Sequence, residues 1–141
     1  MDRVKELLSE LYQARPSCIN LSRSEYVAVH MLPYINKRIE YFVGFFLDAK
    51  INLIARRVMS RGTVDTTAVY PREIIRYALL KQACSVIVSH NHPGGDPKPS
   101  ILDQHLTEKL KNACALMDIR LLDHVIVAKD GHFSFQAQGL L

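Results

Sequence analysis

Residues Glu40 to Asp48, EYFVGFFLD, are apolar at odd and even positions alike. Side chains along a strand alternate between its two faces, so a strand of this composition needs cover on both sides. It reads as an interior strand. Ile51 to Met59 follows after a short turn at Ala49 and Lys50, which makes the pair a hairpin. Pro71 then sits where a first helical residue is welcome, and Ile74, Ile75, Ala78, Leu79 and Ala83 repeat at helical spacing. Val86 to Ser89 is a second buried strand ending at His90. A long helix begins near Ser100, with Leu102, Leu106, Leu110, Ala113 and Met117 on one face. Finally, Leu121 to Phe135 is split by the turn dipeptide Asp130-Gly131 into two strands. The order predicts an α/β domain with a mixed β-sheet and helices packed on it. We place that domain at residues 24–141. Before it, residues 1–23 form an amphipathic N-terminal helix, carrying Val4, Leu7, Leu8 and Leu11, and a connection punctuated by Pro16, Ser17, Asn20 and Ser22.

Composition excludes several classes. A chain of 141 residues buries roughly two-thirds of its unfolded surface, so it needs no metal or disulfide as a staple. Hydrophobic residues make up 48% and charged residues 23%, which fits a globular protein, and no apolar run approaches the ~20 residues of a membrane span. The charged N-terminus is unlike a signal peptide, so a cytoplasmic location is expected. Cys18, Cys84 and Cys114 are too scattered for a disulfide framework or a paired-cysteine zinc site. The net charge of +4 and pI near 9.1 come from dispersed lysines and arginines without interleaved aromatics. Any nucleic-acid contact is therefore expected to be weak and salt-sensitive.

The stretch from Ser89 to Asp103, SHNHPGGDPKPSILD, carries the chemistry. Residues two apart on extended backbone point the same way, so His90 and His92 can aim both imidazoles at one point. A tight Gly/Pro loop returns the chain to Asp103. Two neutral imidazoles and one carboxylate form a three-ligand Zn²⁺ set with a fourth position open, the arrangement of catalytic zinc. Ser100-Ile101-Leu102-Asp103 also fits a variant capping box, in which Asp103 merely reaches back to the helix start. The two readings are compatible.

These residues resemble the RadC-like members of the JAB/MPN metalloenzyme superfamily. The superfamily motif is His-x-His, seven residues beginning with proline, then Ser-x-x-Asp. Here it reads His90-Asn91-His92, Pro93 to Pro99, and Ser100-Ile101-Leu102-Asp103. YPRE from Tyr70 to Glu73 and LLDH from Leu121 to His124 resemble further hallmarks of the branch. Two departures stand out. Gly94 occupies a position that is usually serine, and only one short helix stands where longer relatives carry a helix-hairpin-helix region associated with DNA. The resemblance implies a sandwich similar to cytidine deaminase and hydrolysis of a peptide or isopeptide bond by zinc-activated water. It also implies that Glu40 acts as general acid/base and that Ser100 bonds the water or the developing oxyanion.

Rival readings remain. A DNA-associated repair factor or nucleic-acid-processing protein on the same fold is the alternative, favoured by the basic pI. An HNH nuclease spreads its letters over a ββα unit, unlike the contiguous His90-Asn91-His92. A zinc deaminase needs His-x-Glu and Pro-Cys-x-x-Cys, and neither occurs. A binding module that has lost its chemistry would not require all of Glu40, His90, His92 and Asp103. His124 could pair with Asp123 in support of the site, but it reads rather as a strand-edge histidine outside it, and His30, His105 and His132 as solvated.

Overall fold

The computed structural model describes residues 19–62 and 69–141; the helix read over the first thirteen residues and Cys18 lie outside them. Five strands form one mixed sheet: β1 (Glu40–Leu47), β2 (Leu53–Gly62), β3 (Ser85–Asn91), β4 (Arg120–Ala128) and β5 (Gly131–Ser134). Their order is β2-β1-β3-β4-β5. β3 and β4 run parallel, and the other neighbours are antiparallel. The helices are α1 (Ser24–His30), α2 (Pro71–Leu80) and α3 (Ile101–Leu116). Among the described residues no helix is long and apolar enough to cross a membrane.

The double-faced apolar run of β1 is satisfied as expected. Phe42 and Phe46 enter a core shared with Ile74 and Ala78 of α2 and with Leu106, Leu110 and Cys114 of α3. Val43, Phe45 and Leu47 enter a second core with Leu21, Val27 and Met31. All five β1 side chains are fully buried, and each such burial contributes roughly 1.5–3 kcal/mol. The large side chains of β1 therefore hold the two layers to the sheet.

Several elements differ from the sequence reading. The β1–β2 turn is longer than Ala49-Lys50: Asp48 Oδ1 accepts from the Lys50 and Asn52 amides at 2.8 and 2.9 Å, and Ile51 takes φ of 66°. The aspartate side chain, rather than the two-residue dipeptide, closes the turn. Helix α1 was not anticipated, because of its seven residues only Val27 is buried and its periodicity is too short to read. On α3 the inward residues are Asp103, Leu106, Thr107, Leu110 and Cys114, whereas Leu102 and Met117 are about half exposed. The helix is rotated to turn polar residues inward, which apolar spacing cannot reveal. On α2, Leu79 likewise faces out.

One irregularity positions the site. The β3–β4 register shifts between Val86 and Ile87, pairing Val86 with Leu121 but Ile87 with Asp123. Leu121 packs in the core beneath α3, and His124, three residues later, contacts Thr107 of the same helix. Strand residues an odd number apart share a face only where a bulge inserts one residue. The bulge thus turns His124, rather than Asp123, toward α3.

Candidate metal centre

β3 ends beside the start of α3, and its last residues supply the imidazoles. His90 lies in the strand, fully buried, and His92 just beyond it at the loop mouth. His90 Nε2 stands 3.3 Å from Asp103 Oδ1, His92 Nε2 3.2 Å from Asp103 Oδ2, and the two Nε2 atoms are 2.9 Å apart. Donors held by a tetrahedral Zn²⁺ at about 2.0–2.1 Å stand roughly 3.3–3.4 Å from one another. Among the described residues this is the one group of three or more potential metal donors, all within 4.8 Å. At such separations a carboxylate and two ring nitrogens need a shared hydrogen or a metal ion among them.

The surrounding bonds orient these atoms. His92 Nδ1 donates to the Asp96 carbonyl at 2.9 Å, a group that can only accept, so in the neutral ring Nε2 keeps its lone pair toward the cluster. The loop that brings Asp96 there is closed by Gly95, whose amide donates to His92 O and whose carbonyl accepts from Asp130 N. Gly95 adopts φ of +97°, a conformation that favours glycine. Gly94 is different: a Cβ there meets nothing within 4 Å, so the serine usual at this position would be accommodated.

Asp103 serves two ends at once. Its Oδ2 accepts from the Ser100 amide at 2.9 Å while its own amide donates to Ser100 Oγ at 3.0 Å. The capping box and the approach to both histidines therefore coexist on one side chain. Burial raises the Asp103 pKa, but bonds and charge from His90 and His92 and the Ser100 amide outweigh it and hold the carboxylate well below its ordinary range. For His92, burial lowers the pKa; bonding to Asp103 and to the Asp96 carbonyl, with the charges of Asp103 and Glu40, more than offsets it, and the net shift is upward.

Glu40, half-buried at the first position of β1, thus exerts its charge on His92. The antiparallel register ends at the pair of Phe42 with His90, and Glu40 and His92 each lie two residues past it at that crossing. The buried side chain of Asn91 fixes that crossing. Its Oδ1 accepts from the Tyr41 amide at 2.6 Å and its Nδ2 donates to the Ile39 carbonyl at 3.0 Å, gripping the backbone on both sides of Glu40. The residues between and around the two histidines thereby place a carboxylate from elsewhere in the chain.

The sequence reading put His124 at a strand edge and outside the site. The structure places it in the interior instead. β4 lies between β3 and β5, His124 is completely buried, and its Nε2 is 2.8 Å from His90 Nδ1 while its Nδ1 is 2.6 Å from Thr107 Oγ1. Asp123 is not its side-chain partner; that carboxylate accepts from Ser134 Oγ and from the His124 and Gln136 amides. Thr107 and Asn91 were not singled out at all. The LLDH stretch was a signal, but its meaning depends on β4 lying parallel to β3, which no local pattern encodes.

Fold and site define the class first: a mixed α/β domain carrying a His-His-Asp cluster at the end of its central strand. Comparison then supplies the family. A family model for the RadC-like JAB domain matches residues 21–140, and the chain belongs to that family. It is 48% identical over 102 residues to a UPF0758 protein of Stenotrophomonas maltophilia, covering 72% of this chain and 44% of that protein. A UPF0758 protein of Herminiimonas arsenicoxydans is 53% identical over 102 residues, with 72% and 46% covered. The chain thus spans under half the length of these two relatives. A UPF0758 protein of Vibrio cholerae aligns along the whole chain, 39% identical over 142 positions and covered to 87%.

Proposed function

We infer that the chain is a metal-dependent hydrolase of amide or isopeptide bonds, with His90, His92 and Asp103 as the ligands of one Zn²⁺. The observation that carries this reading is the convergence of donor atoms from those three residues within 4.8 Å of one another, beside His92, on which Glu40 exerts its charge. A bound Zn²⁺ supplies Lewis acidity that makes water nucleophilic near neutral pH. Glu40 would accept a proton from the attacking water and hand it to the leaving amine. Ser100 Oγ already accepts from the Asp103 amide, which leaves its own hydrogen available to the developing oxyanion. Its position on the exposed rim suits contact with a substrate.

We further propose that the fold is a cytidine-deaminase-type sandwich and the setting cytoplasmic. Nucleic-acid contact is read as weak and electrostatic, so its affinity should fall steeply with salt. Sequence-selective binding at physiological salt would favour the repair-factor reading instead. The direct test is metal analysis of the purified, zinc-replete protein, followed by a screen of peptide, isopeptide and DNA substrates with and without chelator. Stoichiometric zinc with chelator-sensitive peptide or isopeptide cleavage is the expected result; cleavage of DNA alone would replace the proposal.

A further inference from the structure

We propose that His124 is a positioning residue that selects the nitrogen His90 offers to the cluster. This rests on the metal reading above. Four groups from three elements form a buried ring. His90 Nδ1 lies 2.8 Å from His124 Nε2, His124 Nδ1 lies 2.6 Å from Thr107 Oγ1, and Thr107 Oγ1 donates to the Asp103 carbonyl at 2.7 Å. The ring returns to the cluster through the Asp103 carboxylate, 3.3 Å from His90 Nε2.

Each of the three hydrogen bonds carries one hydrogen, so with both imidazoles neutral their sense is all or none. The Asp103 carbonyl can only accept. With the Thr107 hydrogen committed there, Thr107 Oγ1 accepts from His124 Nδ1–H, His124 Nε2 is a lone pair, and His90 Nδ1–H donates to it. His90 Nε2 then has no hydrogen and presents a lone pair to the cluster. In the reverse sense His90 Nε2 carries a hydrogen and cannot bind a cation. His124 is fully buried, packed between Phe42 edge-on and Phe135 stacked at 4.8 Å, so it has no room to turn away or to recruit solvent. A backbone carbonyl thus sets, three hydrogen bonds away, the ligand atom of a different strand.

Variants of His124 separate this role from simple packing. A glutamine carries its side-chain oxygen at the reach of Nε2, whereas an asparagine reaches only as far as Nδ1. By competition with a chromophoric chelator, His124→Gln should hold Zn²⁺ within about threefold of the parent protein, and His124→Asn and His124→Leu should bind about 10–100-fold more weakly, the usual cost of losing a ligand's supporting partner. Folded Asn and Leu variants that bind Zn²⁺ as tightly as the parent overturn the proposal. Should those variants fail to fold, ¹⁵N NMR of the zinc-loaded parent decides: a hydrogen on His124 Nδ1 is expected, and one on Nε2 overturns it. A parent protein with no zinc affinity overturns the metal reading itself, a result distinct from equal binding by folded variants.

Discussion

Asp123 and His124 are neighbours on β4, both buried, and adjacent strand residues point to opposite sides. Their polar surroundings differ in kind. Asp123 is satisfied: Oδ1 accepts from the His124 and Gln136 amides and Oδ2 from Ser134 Oγ, which ties β4 to the end of β5 and the residues just after it. The His124 side leads instead through His90 to three donor atoms crowded about one point. Buried polar groups that satisfy one another hold a fold together, while those that converge without enough hydrogens call for a ligand. Two residues apart by a single peptide bond thus belong to a structural lock and to a candidate chemical centre.

The largest effect should come from breaking the second cluster. His90→Ala is expected to weaken zinc binding by at least ~10³-fold, beyond the 10–100-fold of a supporting residue, and to abolish hydrolysis with it; metal content and turnover measured on one preparation check the coupling. Next, Glu40→Gln should keep the metal and lower turnover by ~10²–10⁴-fold. Wild-type turnover on a chelator-sensitive substrate would return Glu40 to the role of a strand-start charge. The first cluster answers to stability alone. Asp123→Leu strands three donors and should cost about 2–4 kcal/mol, read by denaturant unfolding, while leaving intact the roughly 2.7 kcal/mol that zinc at a hundred times its Kd adds to any folded binder.

Asp123→Asn sharpens the contrast with the smallest effect. Burial raises the Asp123 pKa even against the bonds from Ser134 and the Gln136 and His124 amides. An acid with a raised folded pKa contributes stability that is fully present below its unfolded value near 3.8 and is lost as pH rises through the folded value. The asparagine variant lacks this dependence. Its stability relative to the parent should be highest at neutral pH and should decline on acidification toward pH 4; a pH-independent difference would show that the carboxylate does not titrate in this way.

Much of this was legible along the chain. The two-faced run of β1, Pro71 at the head of α2, the Asp130-Gly131 turn and the His-x-His to Ser-x-x-Asp spacing each report a constraint contained within a few residues. The inward face of α3 was not, because Asp103 and Thr107 replace apolar residues on that face and earn their burial through bonds to other elements. Glu40 was placed only through resemblance; its approach to His92 depends on the β1–β3 register and the Asn91 clamp.

The sequence by itself determined which local elements could form and which side chains near residue 90 could share a point, since backbone alternation and loop length act within a short stretch of chain. Tertiary structure alone decided the rest. Strand order set β4 beside β3, and one bulge chose His124 over Asp123 to face α3. These are long-range choices: parity along a strand flips with a single inserted residue, and only the partner strand reveals the insertion.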